Sequence, residues 1–264
     1  MKTYQTQGTC SRAIDYEVTE GVITACRFVG GCPGNTQVAR EGQTSVKLGI
    51  LSAMTKRAYL FDMDGVLVDN CRYHVQAWLE FARRHGGHLT KAQVVAWMGA
   101  PGRDYLARMF DAPLDETRAT ALLREKEALY REIFRPHLVA REGLVDFLSA
   151  ARADGIPCAV STGGTMDNGD YVLDGLGLRA FFAAVVDSSQ YVRGKPAPEC
   201  YLAAAEKLGV APSACCVFEA ALNGIAAAQG AGMDVVAITG TNPRAVLESA
   251  HPTRIIYSFR ELLV

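Results

Sequence analysis

The sequence lacks several features that would point to particular classes of protein. It has no apolar run near the ~20 residues that a membrane helix needs, and its formal net charge of −1 gives no electrostatic reason to expect a nucleic-acid or membrane partner. The first residues, MKTYQTQGTCSRAIDYEV, are polar and do not resemble a secretory signal. Eight cysteines in 264 residues are few and follow no regular framework. We therefore expect a cytoplasmic chain with reduced thiols, and we take it to be a monomer.

Residues 1–34 are rich in turn residues and in alternating apolar and polar positions. The segments AIDYEV (13–18) and VITACRFV (22–29) alternate as strands do, and TEG (19–21) between them is typical of a hairpin turn. GGCPGN (30–35) indicates a loop, and residues 36–55 show little periodicity. The sequence therefore predicts a short β segment and a connector over residues 1–53.

From Ala58 onward, short apolar runs alternate with helical patterns. Five runs fit buried strands, namely AYLFD, PCAVS, AAVVD, CCVFE and DVVAI, and helical stretches such as PECYLAAAEKLG separate them. This alternation predicts an α/β fold with a parallel sheet and helices on both faces. One interval, residues 70–141, shows helical patterns alone, which predicts a helical insertion after the first strand.

Chemically active residues stand at the points where the predicted strands end. Asp62 ends the first strand with Asp64 just beyond it, Thr162 follows the second strand, Lys195 lies in the loop RGKPAPE, and Glu219 ends CCVFE. Because ligands of open parallel sheets bind outside the carboxyl ends of the strands, we expect these side chains to converge. Carboxylates beside a lysine suit a divalent cation and an anionic substrate. Mg²⁺ fits best, because it takes hard oxygen ligands and shares them with phosphate and water.

The stretches FDMDGVLVDN, GKPAPE and VFEAALNGIAAAQGAGM, with a hydroxyl residue after the second strand, resemble the four motifs of the haloacid dehalogenase superfamily. The resemblance is closest to the β-phosphoglucomutase-like phosphatases and covers residues 56–264. It implies a Rossmann-like core formed by residues 54–69 and 142–264, with a helical cap formed by residues 70–141. It also implies a phosphatase that uses Mg²⁺ and an aspartyl-phosphate intermediate to hydrolyse a small phosphorylated metabolite, such as a sugar phosphate.

The same resemblance implies a role for each motif residue. Asp62 is the expected nucleophile, because a carboxylate can attack phosphorus and form an acyl phosphate, and Asp64 is the expected general acid and base. Thr162, Gly163 and Lys195 are the expected phosphate-binding residues, with Lys195 acting as a point cation that also restrains Asp62. The expected Mg²⁺ ligands are Asp62, Asp64 and Glu219.

Residues near the start of the predicted insertion leave alternatives open. His74 either points at the active site, as in some relatives, or is a packed or exposed histidine. Arg103, in GAPGRD, either reaches a substrate from the cap or faces solvent. Trp78, one helical turn after His74, is more typical of a core than of a substrate contact. Asp69 is the expected N-cap of the first helix.

Four positions depart from the family pattern, and one of them is Ala221, which stands where relatives usually carry a serine. Where relatives carry an aspartate after the residue equivalent to Glu219, this chain has Ala220, which removes an expected magnesium ligand and predicts weaker metal binding. Met98 and Thr165 stand where the mutase branch has lysines, which argues against a strict phosphoglucomutase. A phosphatase is therefore the favoured function. The alternatives are a sugar phosphomutase on the same fold and a non-catalytic protein that binds a phosphorylated ligand.

The N-terminal segment resembles a different module. Residues 4–37 are similar to the first half of the small TSCPD domain, and the second half is absent. A zinc site formed by Cys10, Cys26 and Cys32 is a less favoured alternative, because the paired CxxC spacing is missing. Since an isolated hairpin buries little apolar surface, we expect the segment to be dispensable for the enzyme, for which Met54 is a natural start.

Overall fold

A computed structural model describes residues 2–5, 13–19, 22–29, 57–97, 102–110 and 114–263. The chain divides into two compact units, Met1–Val46 and Lys47–Val264, which are described separately. Several predictions fall outside the residues whose side chains are described and stay predictions. They concern the boundary at residue 53, Met54, Met98 and the zinc alternative at Cys10, Cys26 and Cys32.

The N-terminal unit contains an antiparallel sheet in the order β1-β2-β3. Its strands are β1 (Lys2–Gln5), β2 (Ala13–Thr19) and β3 (Val22–Val29). The pairing of β2 with β3 confirms the predicted hairpin strands. Strand β1 was not predicted, because the four residues KTYQ are too short to show a clear pattern. The likeness to half of a TSCPD domain stays a prediction.

The second unit is built on a six-stranded sheet in which every neighbouring pair of strands is parallel. The strands are β4 (Ala58–Phe61), β5 (Cys158–Ser161), β6 (Ala184–Val186), β7 (Cys215–Glu219), β8 (Asp234–Ile238) and β9 (Arg254–Ile256). The order β6-β5-β4-β7-β8-β9 is that of a doubly wound, Rossmann-like fold whose strand order reverses between β4 and β7. The α/β class and the five predicted strands are therefore confirmed. The sixth strand, β9, was missed because it is three residues long and begins with an arginine.

Helices cover and connect these strands. They are α1 (Cys71–Arg84), α2 (Lys91–Ala96), α3 (Gly102–Phe110), α4 (Glu116–Phe134), α5 (Leu144–Ala153), α6 (Met166–Gly175), α7 (Glu199–Leu208), α8 (Leu222–Gly230) and α9 (Arg244–Glu248). Helices α1 to α4 all lie between β4 and β5 in the chain, as predicted for residues 70–141. Their assignment as a separate cap domain stays a prediction. Within the described residues, none of the helices combines the length and the apolar character needed to cross a membrane.

The two faces of the sheet bury different side chains, because successive residues of a strand point to opposite faces. On one face, aromatic residues of β4 and β7 pack with Phe147 of α5, and the rings of Phe61 and Phe218 stack with centroids 4.7 Å apart. On the other face, Leu60 packs among small residues of α7 and α8, such as Ala204. The carboxyl ends of β4 and β7 are therefore held between two packed layers, which fixes the starting positions of the residues that follow them.

The prediction that Asp69 caps the first helix is wrong. The N-cap residue of α1 is Asn70, and its side chain makes no capping hydrogen bond. Asp69 is largely exposed, with its carboxylate 4.0 Å from Arg141 Nη1. Because the helix begins at Cys71, Asp69 lies one residue before the N-cap position. The Asn70 side chain does not cap the helix either, because it is turned inward and its amide donates to Asp64 Oδ1 over 2.5 Å.

Candidate active site

Strand register brings Asp62 and Glu219 side by side. Phe61 pairs with Phe218 across β4 and β7, and the Asp62 amide donates to the Phe218 carbonyl over 3.0 Å. The two acids are therefore the next residues on adjacent strands. They stand where the strand order reverses, and such switch points form the crevices in which doubly wound folds bind ligands.

Lys195 joins the two acids. Its Nζ donates to Asp62 Oδ1 over 2.8 Å and to Glu219 Oε1 over 2.7 Å. Burial lowers the pKa of Lys195, but the two carboxylates outweigh burial and hold that pKa well above its ordinary value. Lys195 is therefore a fixed cation, and the structure brings three of the predicted site residues into direct contact.

The carboxylate of Asp62 is buried close to two other acids and to Lys195. Burial raises the pKa of Asp62 to about 7, with Glu219 and Asp64 adding to the rise and Lys195 opposing it. Even with the Lys195 ammonium beside it, the Asp62 carboxylate is costly to ionise, because Lys195 offsets only part of the effect of burial. A second positive charge next to Asp62 would favour the ionised form further.

Glu219 is saturated with hydrogen bonds inside the protein. Its side chain has no solvent exposure, and its Oε1 accepts from Lys195 Nζ and, over 2.7 Å, from the Tyr201 hydroxyl. Its Oε2 accepts from the amides of Ala220 and Ala221 over 2.7 and 2.9 Å. A carboxylate has about four acceptor sites, so these four donors leave no oxygen directed at a metal ion. The geometry makes Glu219 a counter-ion of Lys195 and gives no support to its predicted role as a metal ligand.

Asp64 is partly exposed and has two polar neighbours from α1 and its start. Asn70 Nδ2 donates to Asp64 Oδ1 over 2.5 Å, and His74 Nε2 lies 3.7 Å from the same oxygen, which is beyond hydrogen-bond range. Burial acts to raise the pKa of Asp64, but the neighbouring His74, Asn70 and Lys126 outweigh it, so the net shift is downward. Of the alternatives for His74, the structure supports the one in which the ring points at the active site.

A buried lysine that the sequence analysis missed holds His74 in place. Lys126 Nζ donates to His74 Nδ1 over 3.0 Å, and the lysine side chain is only 3% exposed. An ammonium group can only donate, so Nδ1 is the acceptor and the ring N–H lies on Nε2, facing Asp64. The signal for Lys126 was available, since it occupies a position on the apolar stripe of α4 formed by residues such as Leu122 and Tyr130.

The polar network continues from Lys126 into α6. Lys126 Nζ also donates to Glu127 Oε1 over 2.8 Å, and Asn168 Nδ2 donates to Glu127 Oε2 over 2.8 Å. Asn168 Oδ1 accepts from Arg131 Nη1 over 2.7 Å. The network therefore connects α4 with the helix that follows the predicted phosphate-binding loop.

The predicted phosphate-binding loop follows β5. Thr162 is buried, its Oγ1 accepts from the Gly164 amide over 3.0 Å, and its carbonyl accepts from the Tyr191 hydroxyl over 3.0 Å. Gly163 between them is exposed. The Thr162 O–H group and the Gly163 amide therefore remain available to a bound anion.

Two candidates from the predicted cap differ in their surroundings. Trp78 is buried and stacks on Tyr105 with centroids 4.4 Å apart, as expected for a core residue. Arg103 is about half exposed and its Nη1 donates to Glu116 Oε2 over 2.5 Å. The structure therefore pairs Arg103 with an acid of α4 and does not bring it to Asp62 or Asp64, so its role in substrate binding finds no support.

Position 220 faces the loop that carries the two aspartates. Ala220 is fully buried, and its carbonyl accepts from Asn242 Nδ2 over 2.8 Å. A Cβ added to Gly65, which has φ of +83°, would lie 3.1 Å from the Ala220 Cβ. The methyl group therefore packs directly against the turn after Asp64.

The acids available for a metal ion are few. Across the part of the chain whose side chains are described, no group of three or more His, Cys, Asp or Glu residues is arranged to hold a metal. Asp62 and Asp64 remain as two carboxylates at the crevice. Mg²⁺ is commonly bound by one or two carboxylates together with substrate phosphate and water, so Asp62 and Asp64 fit an ion of that kind.

Comparison with known proteins gives consistent matches. The sequence profile of the haloacid dehalogenase-like hydrolases matches residues 56–232. The chain is 34% identical over 177 residues to fructose-1-phosphate phosphatase YqaB of Escherichia coli (strain K12), which covers 67% of this chain and 93% of that protein. It is also 34% identical over 190 residues to hexitol phosphatase A of the same organism, with 70% and 84% covered.

A solved structure gives an independent comparison of the fold. The β-phosphoglucomutase of Clostridium difficile superposes with a TM-score of 0.69 at 24% identity, over 78% of this chain and 93% of that one. At this level of identity the likeness concerns the fold alone.

Proposed function

This chain belongs to the haloacid dehalogenase-like hydrolases, and on that premise we propose that it is a phosphatase of small phosphorylated sugars or sugar alcohols. The observation that carries the proposal is the buried Lys195 ammonium between Asp62 and Glu219, at the point where the strand order reverses. A carboxylate beside a fixed cation in a crevice is what attack on a phosphate ester requires.

Asp62 acts as the nucleophile in this proposal. One of its oxygens attacks the phosphorus while the bond from phosphorus to the sugar oxygen breaks, which leaves an acyl phosphate and the alcohol. Water then attacks the acyl phosphate, releases inorganic phosphate and restores the carboxylate. Splitting the hydrolysis into these two displacements replaces one difficult step with two easier ones.

Asp64 moves the protons. Its pKa is lowered in this structure, so it takes up a proton from solvent when the phosphate ester binds. It passes that proton to the leaving alkoxide in the first step and takes one from the attacking water in the second, a contribution typically worth ~10²–10⁴-fold. Asn70 and His74 position the carboxylate. Lys126 holds the His74 N–H toward Asp64, so that this polar group stays beside the Asp64 carboxylate as the carboxylate gains and loses a proton.

Lys195, the Thr162 hydroxyl and the Gly163 amide bind the phosphate oxygens. Lys195 acts as a point charge whose position Glu219 and Tyr201 fix. Asp62 and Asp64 are the residues that would hold Mg²⁺. When bound, the ion neutralises charge between the nucleophile and a phosphate dianion.

The names of the two curated relatives supply the substrate class, since one is a fructose-1-phosphate phosphatase and the other a hexitol phosphatase. The mutase alternative is weaker, because exposed Thr165 stands at the start of α6 where the mutase branch has a lysine. A protein that binds phosphorylated ligands without turnover is the second candidate, and the buried methyl group of Ala220 favours it. A cytoplasmic location and a monomeric state stay predictions from the sequence.

A substrate panel tests the proposal. The purified chain, with and without Mg²⁺, is assayed for phosphate release from fructose 1-phosphate, other hexose phosphates and hexitol phosphates, with D62N as the inactive control. Phosphate release that depends on Mg²⁺, and that occurs with the unmodified chain but not with D62N, supports the phosphatase. Activity that needs a sugar bisphosphate and releases little phosphate indicates a mutase, and phosphate binding without turnover indicates the binding protein.

A further inference from the structure

Asn168 is a buried polar residue for which the proposed reaction has no use. It is 2% exposed and lies in the first turn of α6, where its backbone N–H donates to the Thr165 carbonyl over 3.1 Å. Its side chain faces α4, donating to Glu127 Oε2 over 2.8 Å and accepting from Arg131 Nη1 over 2.7 Å. The nitrogen and the oxygen of the Asn168 side-chain amide therefore both form hydrogen bonds to α4, a helix distant from α6 in the chain.

On the Glu127 side of Asn168, a series of contacts leads to Asp64, the proposed general acid and base. Glu127 accepts from Lys126, Lys126 donates to His74, and His74 Nε2 lies 3.7 Å from Asp64. On the other side of Asn168, the chain runs back through Thr165 to the phosphate-binding residues Thr162 and Gly163. Asn168 is thus the junction between the loop that would hold the phosphate and the side chains that orient Asp64.

We propose that Asn168 is a positioning residue that couples the phosphate-binding loop to Asp64 through Glu127, Lys126 and His74. The proposal rests on the proposed phosphatase function. Asparagine suits the junction because its amide offers a donor to a carboxylate and an acceptor to a guanidinium at once. An aspartate of nearly the same shape keeps the acceptor for Arg131 but has no donor, and it places a carboxylate against Glu127.

The leaving group of the substrate separates positioning of Asp64 from general damage. A sugar alkoxide leaves poorly and needs a proton from Asp64, whereas p-nitrophenolate leaves readily without one. We therefore expect N168D to lower kcat/KM for fructose 1-phosphate, or for the sugar phosphate hydrolysed fastest in the panel above, by roughly tenfold or more. The kcat/KM for p-nitrophenyl phosphate in the same preparation should change by less than about twofold, because kcat/KM does not include the later attack of water on the acyl phosphate, which both esters share.

Two further variants complete the test. Y171F removes another hydrogen bond between the same helices, from the Tyr171 hydroxyl to the Arg131 carbonyl at 3.2 Å, and it does not touch the path to Asp64. It should leave the ratio of the two kcat/KM values unchanged. E127Q lies on the path and should show the same selective loss as N168D, and it decides the matter if N168D does not fold.

Equal losses on both esters in the folded variants, or no loss on either, would overturn the proposal, because Asn168 would then be structural or idle. A changed ratio in Y171F would also overturn it, since any loosening of the two helices would then produce the effect. Absence of turnover of either ester by the unmodified chain is a different result, which refutes the phosphatase function itself and this inference with it.

Discussion

Replacing Glu219 with glutamine distinguishes an internal counter-ion from a metal ligand. Glu219 accepts four hydrogen bonds, two at each oxygen, and one donor is the ammonium of Lys195. In E219Q one oxygen becomes an NH₂ group. If the NH₂ group faces the amides of Ala220 and Ala221, its two N–H donors meet two other N–H donors. If it faces the other side, it meets the Lys195 ammonium, which cannot accept a hydrogen bond.

The size of the effect follows from the burial of the pair. Lys195 keeps Asp62 as a counter-ion in E219Q, so the cost is that of buried donors left without an acceptor, about 1–3 kcal/mol. For a domain of this size each kcal/mol lowers Tm by about 2–4 °C. We therefore expect E219Q to lower Tm by roughly 2–12 °C.

The assay is thermal unfolding followed by circular dichroism in buffer with EDTA, so that no divalent cation contributes. E206Q, a substitution at an exposed position of α7, is the matched control and should lie within about 1 °C of the unmodified chain. A ligand of a removable metal behaves in the opposite way, because neutralising one of several crowded carboxylates relieves repulsion. A Tm for E219Q equal to or above that of the unmodified chain would therefore refute the counter-ion assignment.

Three other predictions concern the nucleophile, the metal and the N-terminal unit. D62N should fold but retain less than roughly 5% of phosphatase activity, because an amide cannot attack phosphorus, and higher activity in a preparation free of contaminating phosphatase would exclude Asp62 as the nucleophile. A220D should lower the half-saturating Mg²⁺ concentration by roughly tenfold, a gain of ~1.4 kcal/mol from one added carboxylate, measured by calorimetry and by activity. A220N adds similar bulk without charge and should not do so, and equal Mg²⁺ dependence in all three proteins would mean that position 220 does not face the metal. Deleting residues 1–53 should leave phosphatase activity unchanged and Tm within about 2 °C, because all six strands of the parallel sheet lie between Ala58 and Ile256, and an insoluble product would show that the boundary is misplaced.

The sheet and the placement of Asp62 and Glu219 at its carboxyl edge could be predicted from sequence because buried parallel strands leave a direct trace. Lys195 lies in a loop beyond β6, and its placement was predicted from the stretch GKPAPE that contains it. Each central strand is a continuous apolar run, and a polar residue at its end falls on the carboxyl edge whatever the connecting loops do. The short edge strand β9 leaves no such trace, since an edge position needs little apolar length.

The partners of individual side chains could not be predicted, because they depend on packing between distant helices. Lys126 meets His74 across 52 residues of chain only once α4 has packed on α1. The inward turn of Glu219 depends on Gly224, where a Cβ would overlap the Glu219 carboxylate. The role of Asn70 could not be predicted for a similar reason. Its side chain donates a hydrogen bond to Asp64 and makes none to the helix end, and that choice depends on the folded positions of Asn70 and Asp64.

The register between β4 and β7 has a consequence for how this enzyme can change. The lateral spacing of Asp62 and Glu219 is set by the distance between neighbouring strands, about 4.8 Å in any sheet, and by the hydrogen bond from Asp62 to Phe218. Loops and the helices α1 to α4 contribute nothing to that distance. Substitutions in those helices therefore leave the spacing of Asp62 and Glu219 constant, while those at His74 of α1 or Lys126 of α4 change the surroundings of Asp64. The spacing of the two strand-end acids and the placement of Asp64 can therefore evolve, or be engineered, as separate traits.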